Sequence, residues 1–268
     1  DAQESRGLGD VYKRQELRPC VPTSMCSKTV NAAESRYRIR VARWPGRRSK
    51  KRARTRGNDI IKLYGSPHSA CTRNVLMVLV EKDVPVAFEN VDISRGAHHS
   101  DAHLARNPFG RIPVLEHRGL QVYESQAINR YLDAVLPGPA LMPATLAGRA
   151  VVDQWTSIQS CDFQPHARNL VLHKVLLPRM GAQPDMAVIG NAEEKLTAVF
   201  HAMETQLERS DYLAGDAVTL ADLSFVPYTD FLLQAQCESL VFVHKNLRRW
   251  WCAMSLRESY RNMLRPIS

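Results

Sequence analysis

At 268 residues the chain is long enough for one large domain or two modest ones, and 44% apolar with 24% charged residues is the balance of a globular protein. No apolar run approaches the roughly 18 to 20 residues that span a bilayer, which excludes a helical membrane protein. The net charge of +9 belongs to residues 1–58, which hold 16 Lys/Arg against 5 Asp/Glu, whereas residues 59–268 hold 20 against 22, so the basic pI describes a tail and not the partner of the folded part.

Residues 1–58 have no sustained apolar periodicity and end in the basic run Arg47-Arg48-Ser49-Lys50-Lys51-Arg52-Ala53-Arg54-Thr55-Arg56. Such a segment cannot bury enough apolar surface to offset chain entropy, which predicts disorder. Nuclear-localisation or nucleic-acid, transit-peptide and membrane-surface readings compete for it. Transit gains from the single acid, Glu34, between Leu17 and Asn58, and a signal peptide fails for want of an apolar h-region. The plainest expectation is that this leader lies outside the mature protein, since the chain opens on Asp1.

Order begins at Asp59. Ile60 to Tyr64 reads as a buried strand stopped by Gly65-Ser66-Pro67, and Ala70 to Lys82 as a helix apolar on most sides. A second strand follows over 87–91, then a short helix over 101–106 and the turn Asn107-Pro108-Phe109-Gly110. Residues 112–115 and 120–123 form a hairpin across Gly119, with Pro113 at a strand start where it removes no ladder bond. Ser125 reads as the cap of a helix carrying Ala127, Ile128, Tyr131, Leu132 and Val135. Strand, helix, strand, helix, strand, strand, helix describes a small mixed sheet flanked by helices, the thioredoxin arrangement. Pro137, Pro139 and Pro143 mark a linker over 138–143, which separates a unit at 59–137 from one at 144–268.

Beyond the linker the periodicity is helical throughout. Leu196, Val199, Phe200, Met203 and Leu207 share one helix face, and Leu220 to Leu233 is apolar nearly all round, the pattern of a central buried helix. Thr219 and Asp222 have capping-box spacing at its start, so Asp222 reads as a structural carboxylate and not a catalytic acid. The six cysteines show no CxxC pair and no metal-ligand spacing, which suits a reducing, cytoplasmic setting without disulfides or zinc.

Three stretches carry a resemblance: Tyr64-Gly65-Ser66-Pro67-His68-Ser69-Ala70-Cys71-Thr72-Arg73-Asn74-Val75, Asn107-Pro108-Phe109-Gly110-Arg111-Ile112-Pro113-Val114-Leu115, and Tyr123-Glu124-Ser125-Gln126-Ala127-Ile128. In this order and spacing they resemble a glutathione transferase, the phi class most closely. Trp155 with Phe163-Gln164-Pro165, and Tyr212-Leu213-Ala214-Gly215-Asp216 through Ser224, extend the likeness to about 210 residues and leave out the leader. The resemblance implies an α/β thioredoxin-like domain followed by an all-α helical domain. It also implies glutathione as co-substrate without a resident cofactor or metal, and a homodimer. The implied electrophile is a small hydrophobic molecule such as an activated halide, a conjugated alkene or an organic peroxide. Nucleic acid is not expected as a partner except through the basic leader, nor is a membrane.

Ser69 lies on the turn before the first helix, where free N–H groups and the positive helix end favour a thiolate. A free thiol of pKa about 8.5 is only slightly ionised at pH 7, so a donated hydroxyl hydrogen bond at this terminus has real work to do. The resemblance implies that Ser69 activates the glutathione sulfur without a covalent bond; read alone, Ser69 is a helix cap, and the two roles are compatible. Glu124 and Ser125 head the third helix, a site for the γ-glutamyl carboxylate with Glu124 facing the ammonium. The backbone of Ile112, held out by Pro113, would pair with the cysteinyl amide. By resemblance His98 and Arg111 complete the contacts, with His99 where the family usually has Lys and Arg111 where phi members usually have Gln. A neutral His99 would grip the glycine carboxylate less well at pH 7 than below about 6.5. His68, Phe163 and Ala167 are expected to line the electrophile pocket.

Cys71 is the rival nucleophile, since cysteine-type members and glutaredoxins use a thiol at this helix terminus. The motif puts Ser69 at that thiol's position and Cys71 two residues on, inside the helix, where it reads as packing. The alternatives are thiol–disulfide activity through Cys71, a non-catalytic carrier of hydrophobic ligands, and a nucleic-acid or assembly factor using the leader.

Overall fold

The computed structural model describes residues 59–263, so the disorder and targeting readings of the leader lie outside the described residues. Strand β1 (Lys62–Gly65) turns Leu63 inward and Lys62 out. It pairs parallel with β2 (Ala87–Asn90) and antiparallel with β3 (Val114–His117), which pairs with β4 (Leu120–Tyr123), for a sheet order β2-β1-β3-β4. Leu63 stands opposite both Phe88 and Leu115, which sets the register on the buried positions. Helix α1 (Ala70–Glu81) joins β1 to β2 by the parallel crossover, and α3 (Ser125–Val135) packs on it and on the β3–β4 hairpin.

Local differences from the sequence reading have local causes. Strand β3 starts at Val114 and not Ile112, because Pro113, joined to Ile112 by a cis bond, has no N–H for the ladder. Arg118 and Gly119 both have positive φ, the two-residue turn whose twist suits a hairpin. Two 3-10 turns, Ile93–Arg95 and Ala97–His99, precede a shortened α2 (Asp101–Leu104), and Gly96 with φ of 71° makes the reversal between them. Ser125 is the first helical residue of α3 and not its cap; Glu124 holds the cap position, at φ of 68°.

The linker is tied down by a buried pair. Lys82 Nζ donates to Pro139 O at 2.7 Å and meets Asp133, whose two carboxylate oxygens accept the N–H groups of Leu141 and Met142. Beyond it, α4 (Leu146–Ile158), α5 (Gln164–Val171) and α6 (Leu177–Arg179) run almost continuously, interrupted by π-turns at Gln159–Phe163 and Leu172–Leu176. Helix α7 (Met186–Leu207) buries the predicted stripe, and α8 (Leu220–Gln234) is the buried centre of the second unit. Helices α9 (Glu238–Phe242), α10 (Lys245–Ser255) and α11 (Glu258–Met263) complete it, with α11 packed on α1.

Asp222 has the structural role read from its spacing. Its carboxylate accepts from the N–H of Leu213 and Thr219, from the Thr219 hydroxyl and from the Trp250 indole, all at 2.9–3.0 Å. Pro227 inside α8 cannot donate to the Leu223 carbonyl one turn back, and that carbonyl instead accepts Asn74 Nδ2 from α1 at 2.8 Å. A helix defect thus becomes a hydrogen bond between the two units.

Candidate active site

The site grows from the chain's exit from β1. A Cβ on Gly65 would meet the Thr72 side chain at 2.7 Å, so only glycine lets the Ser66–Ser69 turn fold back on α1. That turn closes through Ser69 N–H to Ser66 O at 3.0 Å, and the Ser69 hydroxyl oxygen accepts the Thr72 N–H at 3.3 Å as cap of α1. An oxygen that accepts in this way keeps its own proton to donate outward. Ser69 is half-buried, at the edge of a cavity of about 320 Å³ between the two units.

One wall of the cavity is the turn itself, from Ser66 to Ala70, and includes His68 as expected. The opposite wall is apolar: Val171, Leu172, Leu176, Leu177 and Met180 from the α5–α6 stretch, with Tyr228 and Phe231 from α8. Asn90, Asp92, Ser94 and Arg168 supply its polar portion. Phe163 and Ala167 do not line it. Both are fully buried, and Phe163 packs on Phe200 and Phe225 with ring centroids 5.7 and 4.9 Å apart. Arg168, Val171 and Leu172 already bring one side of α5 to the cavity, the π-turn at Leu172–Leu176 keeps Leu176 and Leu177 on that side, and Ala167 lies on the core-facing side of the helix. The signal was present in the apolar pairs Val171/Leu176 and Leu172/Leu177, spaced by five and not four.

Cys71 is the second residue of α1, and its sulfur lies 4.0 Å from Gln164 Oε1. Burial pushes its thiol pKa up, against a hydrogen bond with the Ser125 hydroxyl that lowers it, so the group is a neutral thiol at pH 7. The Ser125 contact brings the head of α3 beside the head of α1, and the charges of Glu124 and Arg111 both act on the same sulfur.

Glu124 caps α3 in a sparsely populated backbone conformation and makes no side-chain capping bond to the first-turn N–H groups of α3. Ile112 and the buried Pro113 stand immediately before β3. The Arg111 carbonyl accepts His103 Nε2 at 3.0 Å and Asn107 Nδ2 at 2.9 Å, which fixes the loop and leaves the exposed guanidinium outside. The His98 and His99 rings lie against each other with centroids 3.9 Å apart and planes tilted by 44°, and a Cβ at Gly110 would meet His99 Nδ1 at 2.9 Å. His98 Nδ1 is buried without a hydrogen-bond partner among the described residues, and burial with the neighbouring His99 and His103 holds its pKa below the usual histidine range. The sequence-predicted residues therefore fall into one continuous region around the heads of α1 and α3 and the Gly110–Pro113 loop, apart from Phe163 and Ala167.

Family models for the glutathione S-transferase N-terminal domain and C-terminal domain match residues 60–134 and 168–258. Glutathione S-transferase F9 of Arabidopsis thaliana is 34% identical over 212 residues, covering 78% of this chain and 98% of that protein. This chain belongs to the glutathione S-transferase family. Among solved structures, glutathione transferase F2 from Populus trichocarpa superposes with a TM-score of 0.73 at 36% identity, over 76% of this chain and 97% of that one. Glutathione S-transferase I from maize, solved in complex with an atrazine–glutathione conjugate, gives 0.71 at 28% identity over 76% and 96%. The transferase is thus phi-class in its relatives, with a thioredoxin-like first domain and a helical second one. Among its described residues no helix is long and apolar enough to cross a membrane.

Proposed function

We propose that this transferase binds glutathione across the heads of α1 and α3, ionises its thiol with the Ser69 hydroxyl, and directs the thiolate at an apolar electrophile held in the neighbouring cavity. The observation that carries the reading is the placement of Ser69, whose oxygen accepts from the Thr72 N–H as cap of α1 while the residue lines the cavity, so that its hydroxyl can still donate to a sulfur there. A sulfur placed there meets that donor together with the positive end of a 12-residue helix, and each lowers its pKa. The γ-glutamyl carboxylate goes to the N–H groups at the head of α3, its ammonium to Glu124, and the cysteinyl amide to the Ile112 backbone. His98, His99 and Arg111 face the glycine end.

The thiolate attacks the electrophilic carbon of an activated halide or conjugated alkene. An organic hydroperoxide instead takes the attack at its terminal oxygen, the O–O bond breaking to release the alcohol and leave a glutathione sulfenic acid, from which a second glutathione displaces water to give the disulfide. Cys71 is disfavoured as nucleophile because burial keeps it protonated. We place the boundary between the glutathione-binding and helical domains at the 138–143 linker, supported by its anchoring on Lys82 and Asp133. We also propose a homodimer, for which the exposed Phe109 and Leu146 offer apolar surface, and a cytosolic setting that keeps glutathione reduced.

The test is glutathione-dependent turnover of a chromogenic aryl halide and of an organic hydroperoxide by wild type, Ser69→Ala and Cys71→Ala. Loss of one donated hydrogen bond at the sulfur predicts a fall of about 10- to 100-fold in kcat for Ser69→Ala alone. Loss on Cys71→Ala would transfer the chemistry to the thiol, and glutathione binding without turnover in wild type would make the protein a carrier.

A further inference from the structure

Arg73 is the largest charged side chain buried in the described residues, 1% exposed, and a guanidinium is kept from water only where its donors are matched. Among the described residues three groups meet it. Its Nε donates to the Pro67 carbonyl at 2.8 Å, its Nη1 lies 3.5 Å from Asp230 Oδ2, and its plane stands 4.7 Å over the Phe231 ring. Asp230 is itself held, by the Tyr260 hydroxyl at 2.8 Å and by Gln234 Nε2 at 2.7 Å. Pro67 sits in the middle of the turn that ends on Ser69, and Phe231 is part of the cavity wall. One side chain of α1 therefore spans the catalytic turn, the central helix of the second domain and the surface an electrophile would touch.

We propose that Arg73 is a positioning residue, which locks the Pro67 carbonyl so that the Ser69 hydroxyl stays aimed at the glutathione sulfur and couples that aim to the cavity wall through Phe231. The inference rests on the reading of Ser69 as activator. With the guanidinium gone, Pro67 O loses its side-chain donor, while the flanking bonds remain: Ser69 N–H to Ser66 O, the residue-73 N–H to Ser69 O, His68 N–H to Ser66 Oγ and the Thr72 contacts, none of which holds the Pro67 carbonyl. Lysine retains a charge for Asp230 but lacks the planar fork that reaches Pro67 and Asp230 together.

The experiment titrates the ultraviolet thiolate absorbance of bound glutathione against pH, beside kcat and KM, in wild type, Arg73→Met, Arg73→Lys and Asp230→Asn. Arg257→Gln serves as a destabilised control remote from the turn. Arg73→Met is expected to raise the titration midpoint by about one unit and lower kcat about tenfold, with KM for the electrophile rising as Phe231 loses its support. Arg73→Lys should move the midpoint the same way with a smaller loss of thermal stability, and Arg257→Gln should lower thermal stability and leave the midpoint in place. If Arg73→Met does not fold, the midpoints of Arg73→Lys and Asp230→Asn decide. A folded Arg73 variant with the wild-type midpoint and kcat overturns the proposal and leaves Ser69 untouched. Wild type without a thiolate band on adding glutathione overturns the Ser69 reading, and the positioning role with it.

Discussion

Replacing Asp222 with alanine removes a single carboxylate and strands donors from three separate segments. The N–H of Leu213, the N–H of Thr219 and the Trp250 indole would all be left inside the protein, since their hosts are at most 5% exposed. The Thr219 hydroxyl can rotate to another acceptor, so it adds little. Each buried orphan donor costs about 1–3 kcal/mol, and the lost helix cap about 1 kcal/mol more. Against this stands relief of a buried carboxylate, which burial already resists by raising its pKa in spite of the four donors. The net loss should be about 3–5 kcal/mol, a large part of the ~5–15 kcal/mol that holds a typical domain together.

Urea unfolding at fixed protein concentration should show this as a lower midpoint with unchanged slope, and thermal unfolding as a drop of about 10 °C. Asp222→Asn should recover at most half of the loss, because its amide turns two further donors toward groups that already donate. The folded fraction of both variants should turn over glutathione normally. A loss under about 1 kcal/mol would refute the reasoning, and so would a fall in kcat in a protein of wild-type stability, which would make Asp222 an acid of the reaction.

Two further outcomes follow from groups that bind the units together. Lys82→Met leaves Asp133 buried with its cation removed, and should cost about 3–5 kcal/mol in urea unfolding together with faster proteolysis across 138–143. Glu81 is held below the usual carboxylate range: burial raises its pKa, but hydrogen bonds from Arg257 and Ser259 outweigh that. A depressed folded pKa stabilises above the unfolded value of about 4.3 and is lost as pH falls through the folded one, so the acid limb of thermal stability should flatten in Arg257→Gln.

What the sequence determined by itself was whatever depends on near neighbours. The elements of the first domain, the buried stripe of α7, the burial of α8 and the capping role of Asp222 were legible because periodicity and cap spacing act within a few residues. Ser69, Glu124 and Ser125 were legible for the same reason, as residues at helix heads. The tertiary structure alone decided the electrophile wall. Phe163 and Ala167 carry the same apolar character as Leu172 and Leu177, and only the packing of the helices puts one pair in the core and the other against the cavity. It also decided the partners of Arg73. An arginine in the first turn of a helix looks like a solvated charge until Asp230, 157 residues on, is brought within 3.5 Å. Side-chain pattern encodes which face is apolar, but which long-range partner meets a buried charge is set only when the two domains pack.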